Sequence, residues 1–506
     1  MGIPIAVAPT VLGPGLYLTV DLLAAAASPG SQPLKAIVMA PKSSAGNLTV
    51  DTEIRRAASA NDGTTAFGAG TPGALALARF LEENPTAIVD MIAPTASAGS
   101  TAAVSLTFAG TVTSSWNVQW TICGRVINVP WLAGEVATDV AARSISYINQ
   151  QTNNLPVTAS SGGSGIVTLT FKVAGPWGND VVYAVALQSG AGGTVAGGTS
   201  TTGNLTGGTT EPDFTNALST ISGTKYDFQL GCVSNADAQS ASSTSNPGRM
   251  KTKINALNTG LNAKLQRVII GLTGTLSPAK TGAIGRNDGA MEYVFCKNGQ
   301  SLPCEFGAAE MGDRMANIAI DPAANRIGDN FETVFGAADL VANTPTQPEI
   351  EDALGNGVSI VSYTPQGVCA IVRPVTTHSQ DTGGNPDRRV FDTSQVDGIY
   401  AVANDIEVAL PQEFPKAKIA KNQTPGDEPL PPGVVEERDI QSFIINRLRV
   451  WQRRGVVRKD LLDAAIAAGT IIALVNSVDN TQVDIVIPMA IVPPLAKFGV
   501  YVQKVA

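Results

Sequence analysis

Phe67-Gly-Ala-Gly70-Thr-Pro-Gly-Ala-Leu-Ala-Leu-Ala-Arg-Phe80-Leu-Glu-Glu-Asn-Pro-Thr-Ala-Ile-Val-Asp90-Met-Ile92 holds the pattern on which the fold reading turns. Gly73–Glu83, with apolar Leu75, Leu77, Phe80 and Leu81, reads as a helix, and Ala87–Ile92 as a strand behind it. Upstream, Lys35–Ala40 is a short strand of the buried type. The same alternation resumes after residue 209, with Tyr226–Val233, a helix near Met250–Leu265, Arg267–Leu272 and Tyr293–Cys296. Strands alternating with helices imply an α/β sheet domain, here built from 31–97 and 209–385.

Between these halves, residues 98–208 change character. Val104, Leu106 and Phe108 alternate with polar residues, as do Val118, Trp120 and Ile122, and later Val167, Leu169, Phe171 and Val173. Period two is the mark of half-buried antiparallel strands. One helix, near Glu135–Gln150, interrupts them, and a stretch from Gly190 to Gly208 with eight glycines closes the segment. A β-rich domain inserted at an exposed loop explains the shift. Residues 1–30, punctuated by Gly13-Pro14-Gly15 and Ser28-Pro29-Gly30, read as an extended arm.

A third region runs over 386–506. Asp427–Gly433, with Pro429, Pro431, Pro432 and Gly433, is a stiff linker. An amphipathic helix follows, with Ile440, Phe443, Ile444, Leu448 and Trp451 on one face. Val483–Ile487 and Lys497–Val505 read as strands around Pro488 and Pro493-Pro494, so the chain ends in a strand arm from about residue 493. The expected class is α/β multidomain: a core α/β sheet domain with an inserted β-rich domain, and a C-terminal α+β domain with extended terminal arms.

Composition narrows the function. Only 15% of the 506 residues are charged, so much of the surface is free to lie against other protein. A net charge of −8 argues against nucleic acid as main partner. The start lacks a signal-peptide pattern, Ala6 breaks the myristoylation pattern, and the longest apolar run, Ala464–Val475, is too short to span a bilayer. Cys123, Cys232, Cys296, Cys304 and Cys369 are odd in number and lack metal-site spacing; reduced, partly buried thiols are expected, and no metal or cofactor.

Three motifs invite chemistry. The single histidine, His378, lies in a polar loop without a GxSxG elbow and reads as an exposed loop residue. Gly68-Ala-Gly70-Thr-Pro-Gly73 fits GxGxxG and opens a helix. A dinucleotide cradle must follow a strand, however, and Glu53–Ala60 looks helical with Asn61-Asp62-Gly63 as a turn. The paired carboxylates Glu82-Glu83 and Glu436-Glu437 sit at helix ends, and Glu436 and Glu437 complement a helix N-terminus. No catalytic residue is expected.

The stronger electrostatic signal lies near the end. Arg438, Arg447, Arg449, Arg453, Arg454, Arg458 and Lys459 fall within 22 residues with only Asp439 opposing them; Lys416, Lys418 and Lys421 form a smaller set. Such an excess is either a solvated helix face or a docking patch for an acidic surface. An extended arm and a closing strand are the raw material of strand donation.

Several stretches, in shared order, resemble the tail sheath proteins of Mu-like contractile phages, a contractile injection system sheath family. They are Phe67–Gly70 and Asn84–Ile92, then Leu106-Thr-Phe-Ala-Gly110, Ile148-Asn149, Leu155-Pro-Val-Thr-Ala159, Gly178-Asn179-Asp180 and Tyr226-Asp227. Phe414-Pro-Lys-Ala-Lys-Ile419, Asp479–Pro488 and Phe498–Gln503 complete the set. The resemblance covers most of the chain. It implies a non-enzymatic structural subunit that polymerises helically around a tail tube and contracts to drive it through a host envelope. Its partners would be other copies, the tail tube protein, and baseplate and tail terminator proteins, with no nucleic acid and no membrane insertion. Its place would be the virion tail, assembled in the host cytoplasm. The resemblance further implies that Tyr17, Leu18 and Val20 in the first arm, and Phe498, Val500 and Val502 in the last, form inter-subunit strands. The inserted domain would project outward, and the C-terminal domain would face the tube through Arg438–Arg454. Another structural component of such a machine, a tube or baseplate protein, is the alternative.

Overall fold

The computed structural model describes residues 34–496 apart from 188–189, 191, 259–263, 425–429 and 477–482. The chain divides into two compact units, residues 33–398 with the segment after 491, and residues 399–491. Helices and several sheets are mixed, as an α/β multidomain chain requires.

In the larger unit the chain starts with β1 (Lys35–Met39), β2 (Arg55–Ala57), α1 (Ala60–Phe67), α2 (Pro72–Glu83) and β3 (Ile88–Ile92). Local chemistry sets the helix starts. Asp62 accepts from the Ser59 backbone N–H at 2.8 Å and opens α1, while the Thr71 hydroxyl accepts from Ala74 N at 3.4 Å ahead of Pro72, at the start of α2. This corrects the helical reading of Glu53–Ala60 and the turn at Asn61–Gly63. Arg55–Ala57 is drawn into a strand by antiparallel pairing with β3, and Arg56 Nε bonds Asp90 Oδ1 at 3.0 Å; the helix begins only after the Ser59 cap.

The chain then builds β4 (Ala103–Gly110), β5 (Trp116–Ile122), β6 (Arg125–Trp131), α3 (Ala137–Gln150), β7 (Val157–Gly163), β8 (Ile166–Phe171), β9 (Val182–Ala186), β10 (Gly193–Val195) and β11 (Ser200–Asn204). These strands form two four-stranded sheets, in the orders β10-β4-β8-β7 and β11-β9-β5-β6. Their inward residues alternate as the sequence does. Leu106, Phe108, Val167 and Leu169 on one sheet and Val118, Trp120, Val129 and Trp131 on the other are all buried. Phe108 meets Trp131 edge-on, with centroids 6.1 Å apart. β6 and β7 are edge strands, and α3 lies along both, burying Val140, Ala141, Ser144 and Ile148. The buried Trp120 indole donates to Ser144 Oγ at 3.2 Å, which satisfies the one polar atom α3 brings inward.

The chain returns through α4 (Thr215–Ile221), β12 (Phe228–Gly231), α5 (Asn235–Gln239), α6 (Asn246–Leu257), β13 (Arg267–Gly274), α7 (Leu276–Arg286), β14 (Met291–Lys297), α8 (Pro303–Ile320), β15 (Asn330–Phe331), α9 (Leu340–Asn343), α10 (Gln347–Gly355), β16 (Ser359–Tyr363) and β17 (Cys369–Ile371). α6 starts and stops earlier than periodicity suggests, because Ser245 caps it and Pro247 stands in its first turn. The large sheet runs β15-β17-β16-β14-β13-β12-β1-β3-β2, parallel from β16 to β3 and antiparallel at both flanks. β1, β12, β13 and β14 are covered on both faces, which is why nearly all their residues are buried, Gln229 and Glu292 included.

An ion network is sealed beside this sheet. Arg314 of α8 bonds Glu292 Oε2 at 2.7 Å and both Asp397 oxygens at 2.7 and 2.8 Å; Arg267 reaches Asp397 at 2.6 Å. All four side chains are buried.

The smaller unit holds the rest of α11 (Thr393–Glu413), β18 (Lys418–Ala420), β19 (Val434–Glu436), α12 (Glu437–Arg453), α13 (Lys459–Ala467), β20 (Ile472–Val475) and β21 (Val483–Val486). Its core is the apolar face of α12, with Ile440, Ile444, Leu448 and Trp451 buried beside Val457, Leu462 and Ile471. Met1–Gly30 and Phe498, Val500 and Val502 lie outside the described residues, as do Tyr17, Leu18 and Val20.

Candidate functional site

By sequence the basic cluster, opposed only by Asp439, reads as a solvated helix face or a docking patch. The structure instead pairs most of it within the smaller unit. Arg447 forks onto Asp405 of α11, Arg438 pairs with Glu436, and Arg449 with Asp463; Arg458 reaches Asp460 at 2.6 Å and Lys459 reaches Asp463 at 2.6 Å. Arg454 lies over the Trp451 ring at 4.9 Å. The pairing has a simple cause: Asp405 comes from 42 residues upstream, and Asp460 and Asp463 stand just past the cluster. Arg447 is thereby a packing element, because Asp405 also accepts from the buried Trp451 Nε1 at 2.9 Å.

The two small sheets of this unit are the second feature. β18 and β19 pair in parallel, and β20 and β21 pair antiparallel; each sheet has two strands among the described residues. α12 holds the outer side of β20: Val475 N donates to Glu437 Oε1 at 2.7 Å, and Gln441 Nε2 donates to Ile471 O at 2.6 Å. No described strand lies on the outer side of β21. The register puts Ile472 beside Val486 and Leu474 beside Asp484 on one face, and there Leu474 and Val486 are half exposed at 51% and 55%. A two-stranded sheet whose far edge no described strand covers, with Leu474 and Val486 exposed beside Asp484, is marginal alone and accepts a further strand readily.

The positions that suggested ligand chemistry are filled by the chain itself. Gly68 and Gly70 take positive φ, 99° and 71°, between α1 and α2, but Lys172 of the inserted segment donates to Ala69 O at 2.8 Å. A Cβ at Gly70 would meet Leu155 O at 2.1 Å. The preceding element is a helix, as the nucleotide reading cannot accommodate. Asp90 is likewise engaged, by Lys35 Nζ at 2.9 Å, Arg56 and the Tyr226 hydroxyl at 3.0 Å. In a sheet of this kind ligands enter where strand order reverses, here between the carboxyl ends of β1 and β12. Trp177 is buried there with its Nε1 donating to Cys232 O at 3.2 Å.

His378 departs from its expected exposure. It is partly buried, with Nε2 2.9 Å from Asp387 Oδ2, and Arg389 takes the same carboxylate. All five cysteines are free and buried, and burial pushes the Cys123 thiol up to about 12. No described helix is long and apolar enough to cross a membrane, and no group of three or more ligating side chains occurs among the described residues.

A cleft of about 410 Å³ lies beside the ends of β13 and β14, lined by Thr121, Asp180, Tyr183, Asn235, Thr273 and Ala337 among others. Asp180 accepts from Asn235 N at 2.9 Å and Nδ2 at 3.1 Å, and Glu211 accepts from Ser234 Oγ close by. Burial pushes Asp180 up to about 7 and Glu211 up to about 8, from 3.8 and 4.5. Both carboxyls therefore hold protons more tightly folded than unfolded. Their contribution is greatest below pH 4 and is lost as pH rises through 7 and 8. Asp180→Asn with Glu211→Gln is expected to flatten the fall in unfolding midpoint between pH 5 and pH 9. A pH profile identical to that of the unmodified chain would refute the assignment.

No protein-family model matches the chain, and no curated protein matches it. Among solved structures it is similar to the sheath tail protein of Desulfitobacterium hafniense, at 12% identity and a TM-score of 0.44, over 88% of this chain and 91% of that one. It is also similar to the sheath tail protein of Listeria innocua, at 13% identity and a TM-score of 0.42, over 86% and 88%. The helical sheath of the anti-feeding prophage in its contracted state aligns at 11% identity and a TM-score of 0.39, over 97% and 98%. All three are sheath proteins. At these values they lend this chain neither a name nor a role.

Proposed function

We propose that this chain is the structural subunit of a contractile tail sheath, and that copies join by adding strands to the β20–β21 hairpin of a neighbour. The far edge of β21, covered by no described strand and next to exposed Val486, is the observation that carries this reading. An added strand gains main-chain hydrogen bonds from the edge and apolar contacts from its alternate side chains. The donors on this reading are the arms Met1–Gly30 and 493–506, through Tyr17, Leu18, Val20, Phe498, Val500 and Val502. Contacts of this head-to-tail kind do not close on themselves, so they generate a tubular lattice.

Contraction then needs no nucleotide. An extended array relaxes into one with more buried apolar area, at about 25 cal/mol per Å² summed over many copies. The C-terminal unit faces a tail tube protein in this proposal, and screened surface charges suit a contact that must break. Arg438, Arg449, Arg453, Arg454, Arg458 and Lys459 are the tube-facing candidates; of the cluster, Arg447 is committed to Asp405. The tail of the virion, with assembly in the host cytoplasm on a baseplate and under a terminator, is the corresponding location.

Deleting 1–30 is expected to abolish polymerisation while leaving a folded, single subunit. Sedimentation and negative-stain imaging read the result: long hollow polymers from the full chain and none from the truncation. Equal polymerisation by both would end the strand-donation account.

A further inference from the structure

Thr121 of β5, Ala184 of β9 and Thr202 of β11 lie in one row across three strands, and Asn204 stands beside Val182 in the same sheet. These residues form part of the wall of the 410 Å³ cleft. The core supplies the rest from the carboxyl ends of its parallel strands: Thr273 and Gly274 close β13, and Asn298, Gly299 and Gln300 follow β14. Sheets of this kind take ligands at the carboxyl ends of their strands, and clefts of about 300–1,000 Å³ where two parts of a chain meet are the usual small-molecule sites.

Two of its amides are fixed by the fold. Asn298 Nδ2 donates to Asn343 Oδ1 at 2.8 Å, and Asn204 Nδ2 donates to Asn179 O at 3.0 Å. Each keeps its own oxygen as an acceptor held in place. Asn298 also stands at φ 48°, a backbone conformation that side chains rarely adopt, with its N–H donating to Gly274 O at 2.9 Å. The Thr121 and Thr202 hydroxyls and the Gln300 amide have no hydrogen-bond partner among the described residues. Small apolar groups, Ala184, Ala337 and Ala338, lie between these polar ones, and Val182 is the largest aliphatic side chain in the wall. Among the described residues no basic side chain lines the cleft.

We infer that this cleft binds a neutral sugar, a hexose taken either free or as the end of a glycan chain. A sugar hydroxyl both donates and accepts, and amide oxygens, an amide N–H and threonine hydroxyls supply both partners. The C–H faces of a sugar ring are small and apolar, as are the alanines and glycines between those polar groups. A phosphate or carboxylate ligand would meet Asp180 and Asp339 with no cation to offset them. A large apolar ligand would find too little aliphatic wall to replace its contacts. The inference is independent of the polymer proposed above.

The test is saturation-transfer NMR on the full chain, which reads binding to single subunits and to polymers alike. The probes are methyl glucoside, methyl galactoside, methyl mannoside and N-acetylglucosamine, with maltose and lactose as chain ends and glucose 6-phosphate as the anionic control. At least one neutral probe is expected to bind with a Kd of about 1 mM. Tighter binding of a disaccharide assigns the cleft to a glycan end, and equal or weaker binding assigns it to the free sugar; both uphold the inference. Thr121→Val with Gln300→Leu should weaken binding about tenfold by removing two hydrogen-bonding groups. Thr202→Val, at an exposed position, should lower affinity in the same direction and serves where the double variant fails to fold. Transfer to none of the neutral probes overturns the inference. So does binding that every folded variant leaves unchanged, or glucose 6-phosphate bound as tightly as the neutral sugars.

Discussion

Replacing Arg314 with methionine is expected to destabilise the larger unit by about 3–5 kcal/mol, the usual cost of leaving a buried charge without its partner. Arg314 is 2% exposed and joins α8 to Glu292 of β14 and to Asp397 at the start of α11. Arg267 still reaches Asp397 in the variant, but it leaves Glu292 with only the Ser359 hydroxyl at 2.8 Å. One negative charge is then stranded in a dry interior. The reading is therefore specific: Arg314→Met with Glu292→Gln should recover part of the loss, because the second change removes the stranded charge. Urea unfolding followed by tryptophan fluorescence measures both. An Arg314→Met midpoint equal to that of the parent, or a double variant less stable than the single, would contradict the assignment. Arg314→Lys is expected to fall between, since an ammonium cannot make the fork onto Asp397.

Trp451→Ala is expected to cost about 3–5 kcal/mol in the smaller unit, through the cavity left by a fully buried indole. That is a large share of the whole stability of a unit of this size, typically about 5–15 kcal/mol. Trp451 packs in the α12 core with Leu448 and Ile444, and its Nε1 is the second donor to Asp405 beside Arg447. Because the side chains of α12 also hold β20, loss of this core should expose the β20–β21 hairpin and abolish polymerisation with it. Trp451→Phe retains most of the apolar body and leaves Arg447 on Asp405, so a much smaller loss is expected. Limited proteolysis within 399–491, compared with cleavage in the larger unit, reads the effect locally. Resistance of the alanine variant equal to that of the parent would rule out Trp451 as the keystone.

The proposed assembly and the stability of the smaller unit are connected through β20. Along its outer side it is held by α12; along its inner edge it pairs with β21, whose far side is open among the described residues. A strand added there would extend a sheet already tied to a core, so movement of one copy would reach the next through hydrogen-bonded backbone rather than through side chains alone. The ionic grip of Asp405 on Arg447 lies within the same core, which is why the basic cluster supplies fewer surface charges than its sequence count implies.

What the residue order determined alone was local. The apolar runs within β1, β13 and β14, the helical period of α2, the alternation in β4, β5 and β8 and the amphipathic face of α12 are all set by interactions spanning two to four residues, so period reveals them. Other features depended on partners far along the chain. Arg55–Ala57 became a strand only because β3 was there to pair with it, Arg447 turned inward to Asp405, and Trp177 came to fill the crevice at Cys232. Pairing across such separations follows from where the folded backbone brings side chains together. The tertiary structure alone decided which charges reached solvent and which edge no described strand covers.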